Sequence, residues 1–108
     1  MKVLSINWTA FADLCLNEIH QYIEAESGSE NVANNFIFKL LDAVEPLVNF
    51  PDSGEKEPLL KSIGQNSRYI VEGNYKIIYQ YDEKQVTITD VFHTKQNPKK
   101  LVKRSVKK

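Results

Sequence analysis

Seven apolar residues between Ala33 and Leu47 recur at helical spacing, more regularly than anywhere else in the chain. Ala33, Phe36, Ile37, Leu40, Leu41, Val44 and Leu47 stand at i, i+3, i+4, i+7, i+8, i+11 and i+14. Such a stripe is stable only when buried against a second apolar surface, so the remaining chain must supply one. Pro46 lies near its end; it removes the bond to the Asp42 carbonyl and should kink or stop the helix. An earlier helix is expected over "AFADLCLNEIHQYIEAE", with Thr9 as N-cap and Phe11, Cys15, Ile19 and Tyr22 as its stripe, flanked by Leu14 and Ile23. "SGS" at 27–29 separates the two helices, and Ser27 and Glu30 have the spacing of a capping box.

The surface those helices require is made of strands. "KVLSINW" alternates, with Leu4, Ile6 and Trp8 on one face and Val3, Ser5 and Asn7 on the other. After the loops "FPDSGEKEPLL" and "KSIGQNS", three strands follow in quick succession: "SRYIVE", "YKIIYQY" and "VTITDVFH". Gly73-Asn74 is a two-residue turn between the first pair, and "DEKQ" joins the second. The order β-α-α-β-β-β predicts an α+β two-layer domain, with two N-terminal helices packed on one face of a mainly antiparallel sheet. One domain over residues 1–98 and a basic C-terminal tail over 99–108 account for the chain.

Pairing across those two connections sorts the side chains. Val86 should oppose Tyr81, Ile88 Tyr79, and Val91 Lys76. One face then collects Tyr75, Ile77, Tyr79, Tyr81, Val86, Ile88 and Phe92, with Asp90 as an exception, and goes against the helices. The other collects Lys76, Ile78, Gln80, Thr87, Thr89, Val91 and His93, with nothing left in the chain to cover it. Lys76 and His93 would be diagonal neighbours there, about 7–8 Å apart at the backbone. Three of the four tyrosines at 69, 75, 79 and 81 fall on the helix-facing side, so they read as core before they read as a base-stacking platform.

Charge and cysteine usage exclude several classes. The chain is neutral overall, but residues 1–60 hold three Lys/Arg against ten Asp/Glu, and residues 61–108 hold eleven against four. A −7/+7 asymmetry of this kind suits either an anionic partner or an internal match between the halves. Cys15 is the only cysteine, which excludes an internal disulfide and a cysteine zinc site, and it reads as a small apolar helix residue. His20 reads as solvent-facing. No metal, no cofactor and no membrane partner is expected, and the absence of an apolar leader or spanning segment points to a cytoplasmic protein.

The hairpin "SRYIVEGNYKIIYQY", the strand exit "VFHTKQNP", the opening "INWTAFADLCLNEIHQYI" and the phrase "LVNFPDSG" together resemble the RelE/ParE toxin superfamily of bacterial type II toxin–antitoxin, or plasmid stabilisation, systems. The resemblance runs from residue 3 to about residue 101 and implies the same β-α-α-β-β-β fold. It implies a growth inhibitor held inactive by a cognate antitoxin. RelE-like members are ribosome-dependent endoribonucleases that cut mRNA; ParE-like members poison DNA gyrase without chemistry of their own.

Metal-free RNA cleavage needs a base for the 2′-hydroxyl, an acid for the leaving oxygen and cations for the phosphorane. His93 suits acid or base, and Lys76, which matches the basic residue on this strand in catalytic members, suits phosphate. Arg68, Lys95 and Gln96 join them as binding candidates, although the register puts Arg68 on the face opposite Lys76. RelE-like nucleases often carry a tyrosine shortly after the last strand, and "QNPKKLV" has none. Thr94-Lys95 replaces the usual arginine, and lysine cannot reproduce its bidentate fork. These departures favour a gyrase-binding toxin; an mRNA endoribonuclease and a non-toxic interaction domain of the same fold remain as alternatives. Whether the chain is an enzyme stays open on the sequence.

Overall fold

The structure is a computed structural model that describes residues 3–57 and 67–95. Strand β1 (Ser5–Trp8) leads into helix α1 (Ala10–Ser27), helix α2 (Glu30–Val44) and a 3₁₀ turn (Glu45–Val48). Strands β2 (Glu55–Lys56), β3 (Arg68–Glu72), β4 (Tyr75–Tyr81) and β5 (Gln85–His93) follow. They form one five-stranded sheet in the order β1-β5-β4-β3-β2, antiparallel except where β1 lies parallel to β5. The expected α+β layering therefore holds. Two-residue β2 is an addition, because "EK" lies in a stretch whose glycine, proline and charge pattern reads as loop.

Local chemistry accounts for the helix ends. Thr9 Oγ1 accepts from Ala12 N at 3.0 Å, so the expected cap forms. The second cap is Ser29, whose Oγ accepts from Val32 N. Ser27, spaced for a capping box, is instead the last residue of α1, and Gly28 behind it takes a φ of 70° that closes the helix. Pro46 ends α2 as expected: the α-helix stops at Val44 and the chain tightens into the 3₁₀ turn.

The main core lies between the helices and the sheet. Leu40, Val44 and Leu47 bury as the stripe predicts, in one cluster with Ile77, Tyr79, Val86 and Ile88, and Ala33 is buried as well. On α1 the buried residues are Ala12, Cys15 and Ile19, with Ile23 alongside; Leu14 and Tyr22, assigned to that stripe, are exposed. His20 is also not simply solvent-facing. Its Nε2 lies 2.7 Å from Asn34 Oδ1, bridging α1 to α2.

Tyr79 is fully buried and ties the "PDSG" loop to the sheet. Its hydroxyl donates to Pro51 O at 2.7 Å and accepts from Gly54 N at 2.9 Å. Gly54 is required by that approach: a Cβ there would stand 2.5 Å from Tyr79 Oη and 2.7 Å from Tyr69 O.

The expected pairing of β4 with β5 holds only as far as Tyr79↔Ile88. Thr89 is then an extra residue, a β-bulge, and beyond it Ile78 pairs with Asp90, Ile77 with Val91, Lys76 with Phe92 and Tyr75 with His93. One inserted residue exchanges the faces of everything after it. Val91 joins the main core and Phe92 turns to the second face.

Candidate functional site at the exit of the last strand

The bulge decides which functional candidates meet. His93 stands beside Tyr75, with ring centroids 5.2 Å apart and an edge-to-face angle of 80°, and Tyr75 in turn meets Phe36 of α2 at 5.5 Å. Lys76 lies on the other face beside Phe92. The diagonal Lys76–His93 pair expected from an unbroken register therefore does not form.

The second face is not bare either. Ile78 is fully buried there, with Phe92 and Tyr69 packed on it. Lys76 closes the cluster. Its Nζ donates to Glu57 Oε2 at 2.9 Å and sits 4.0 Å from the centre of the Tyr69 ring. Glu57 is only 2% exposed, and a buried carboxylate needs such a partner. The charge of Lys76 is thus committed within the fold.

Arg68 is committed too, on the face opposite Lys76 as expected. Its Nη1 donates to the carbonyls of Asp52 and Gly54 at 3.1 and 2.7 Å, fastening the loop that Tyr79 also holds. Gln96, the fifth candidate, lies outside the described residues, as does the basic tail over 99–108.

His93 and Lys95 remain together. Lys95 N donates to His93 Nδ1 at 3.1 Å, a local bond that holds the ring just as the strand ends. Both residues border a groove of about 470 Å³ between the C-terminal half of α1 and the ends of β4 and β5. Cys15, Ile19 and Val91 form its floor. Cys15 is not merely an apolar filler: its Sγ donates to the buried Asp90 Oδ1 at 3.6 Å.

The wall of α1 across from His93 presents Glu18 and Tyr22, which stand on a helix and not among the strand residues expected to form the site. Tyr22 has its proton held by a hydrogen bond to the Glu26 carboxylate, which raises its pKa. Burial, and then the neighbouring Tyr22, raise that of Tyr75. The signal for Tyr22 was present in the sequence as an aromatic in phase with the core stripe, but phase alone does not reveal that its turn of helix overhangs a gap.

Chemically, the groove offers an apolar floor, aromatic walls, a carboxylate on one lip and an imidazole and an ammonium on the other. Among the described residues no cluster of three His, Cys, Asp or Glu side chains can hold a metal ion. None of the described helices is long and apolar enough to cross a membrane.

These features define a small α+β domain whose last strand brings His93 and Lys95 to a groove. Residues 6–98 match the family described as the ParE toxin of type II toxin–antitoxin systems, parDE, and the chain belongs to that family. A solved chain from the chromosomal ParDE TA system of P. aeruginosa superposes with a TM-score of 0.69, over 84% of this chain and 96% of that one, at 18% identity. At that identity the likeness is one of fold. No curated protein sequence is significantly similar to this chain.

Proposed function

We propose that this chain is the toxin of a type II toxin–antitoxin pair, is silenced by a cognate antitoxin, and arrests growth by binding DNA gyrase. Membership of the ParE family supports the toxin reading. One observation carries the choice of target: the groups a ribonuclease would need do not converge. His93 and Lys76 are on opposite faces, Lys76 is bound to Glu57, and Arg68 is spent on loop carbonyls. General acid–base catalysis requires such groups within hydrogen-bond reach of one phosphodiester. A toxin that acts by contact has no such requirement.

The antitoxin contact is an acidic-apolar peptide for which Lys95 supplies charge, since Lys76 is already neutralised. Its affinity should fall with added salt, and affinity indifferent to salt would remove the charge component.

The decisive test sets a gyrase supercoiling assay beside primer extension on translating ribosomes, each with wild type and His93→Ala. The expected result is inhibited supercoiling with trapped DNA cleavage, intact mRNA, and inhibition weakened about 5–30-fold by His93→Ala, as for an ordinary interface residue. New mRNA ends that vanish in His93→Ala would overturn the reading in favour of an endoribonuclease. Unimpaired growth on strong expression of folded protein without antitoxin would leave a non-toxic interaction domain.

A further inference from the structure

Tyr22 is anomalous for its position. It lies in phase with Cys15 and Ile19 on α1, yet it is 56% exposed, while those two are buried beneath it. On this turn Ile23 still packs against the core, while Tyr22 beside it stays uncovered and forms one lip of the groove that His93 and Lys95 border on the other side. We infer that Tyr22 and Glu18 complete the target-binding surface, and that the groove between α1 and the strand exit receives an apolar side chain of the target protein flanked by a basic residue. This rests on the gyrase-binding reading given above.

Two features of the groove support that occupant. Its floor of Cys15, Ile19 and Val91 is apolar and favours an apolar side chain over a polar one. Exposed tyrosine at the rim of a concavity is well suited to anchor a protein contact, because it buries a large area with only two torsions to freeze.

The charges set the orientation. Glu18 and Glu26 lie on the α1 side, and Lys95 on the strand side beside the His93 ring that accepts from its backbone N–H. A segment crossing the groove is therefore matched when its basic residue faces α1 and its acidic residue faces the strand exit. His93 is backed by Tyr75 and Phe36, so this lip is rigid before the partner arrives.

The test compares wild type, Tyr22→Ala, Tyr22→Phe and Glu18→Lys in the supercoiling assay, with melting temperature and affinity for the cognate antitoxin measured on the same preparations. Tyr22 is exposed, so Tyr22→Ala should fold and melt like wild type. It should raise the half-inhibitory concentration about 30-fold, as loss of a central aromatic does, and Tyr22→Phe should stay near wild type. Glu18→Lys, a second variant outside the core, should weaken inhibition about fivefold by placing like charges together. Antitoxin affinity should change little in all three. If wild type inhibits gyrase and Tyr22→Ala inhibits equally well, the inference fails and the gyrase reading survives. Tyr22→Ala that keeps full inhibition but loses the antitoxin would make the groove the antitoxin's seat and overturn the proposal. A wild type that leaves gyrase untouched overturns the functional reading itself, before any Tyr22 variant is needed.

Discussion

Ile77 and Ile78 are neighbours on β4, both fully buried, and they lie on opposite faces of the sheet by different means. Ile77 is covered by the broad apolar cluster that α1 and α2 complete. Ile78 has Phe92 and Tyr69, in a cluster closed by the Lys76–Glu57 ion pair. One face is sealed by helices. The other is sealed in part by a lysine whose stem packs on rings while its head meets a buried carboxylate. A basic residue on a family strand can thus be structural, and the comparison separates Lys76 from His93 and Lys95.

The largest effects should come from the two isoleucines. Ile77→Ala should cost roughly 4 kcal/mol and Ile78→Ala roughly 3, within the usual range for large-to-small core changes, because the smaller cluster can collapse further into its cavity. Denaturant midpoints measure both. An Ile78→Ala cost equal to or above that of Ile77→Ala would mean the second face is as rigidly packed as the first.

The ion pair should respond asymmetrically. Lys76→Met leaves Glu57 buried without its partner and should cost about 3 kcal/mol. Glu57→Gln leaves Lys76, which is 24% exposed, free to turn to water, and should cost closer to 1 kcal/mol. Equal costs would show that the pair is more solvated than its burial indicates. On the gyrase-binding proposal, the same variants should retain inhibition in whatever fraction stays folded, since Lys76 does not border the groove.

Gly54→Ala should cost about 2 kcal/mol through overpacking against Tyr79 and the Tyr69 carbonyl. The cost of Gly54→Ala should be smaller in a Tyr79→Phe background than in wild type, because the nearest atom is gone. An equal cost in both backgrounds would mean that the Tyr69 backbone or the Tyr79 ring, not the hydroxyl, is the obstacle.

The smallest effect concerns the β4–β5 connection, far from both clusters. Asp82 accepts from the backbone N–H groups of Lys84 and Gln85, and these bonds lower its pKa. A carboxyl whose pKa is lowered by folding stabilises the fold above its unfolded value, and that contribution disappears as pH falls through the folded value. Asp82→Ala should therefore be slightly less stable than wild type at neutral pH, with the difference vanishing in acid. A gap that persists at low pH would point to turn propensity rather than charge.

The sequence by itself determined the element order apart from β2, the Thr9 cap, the stop at Pro46 and the α2 stripe, because these depend on neighbours within a few residues. It also determined that Tyr75 and Tyr79 are core and that Arg68 opposes Lys76, since both follow from alternation ahead of the bulge. It held a sign of the bulge as well: the aliphatics of β5 change parity, from Val86 and Ile88 to Val91, across Thr89-Asp90. Only the tertiary structure decided that this change is a bulge and not a strand end, because the extra residue exists only relative to β4. The same holds for Glu57, whose burial depends on Lys76 nineteen residues away, and for Tyr22, whose exposure depends on α1 overhanging the strand ends. Local spacing sets which residues share a face, but the distance between that face and its neighbour is a property of the packed elements, and that distance left a groove beside His93.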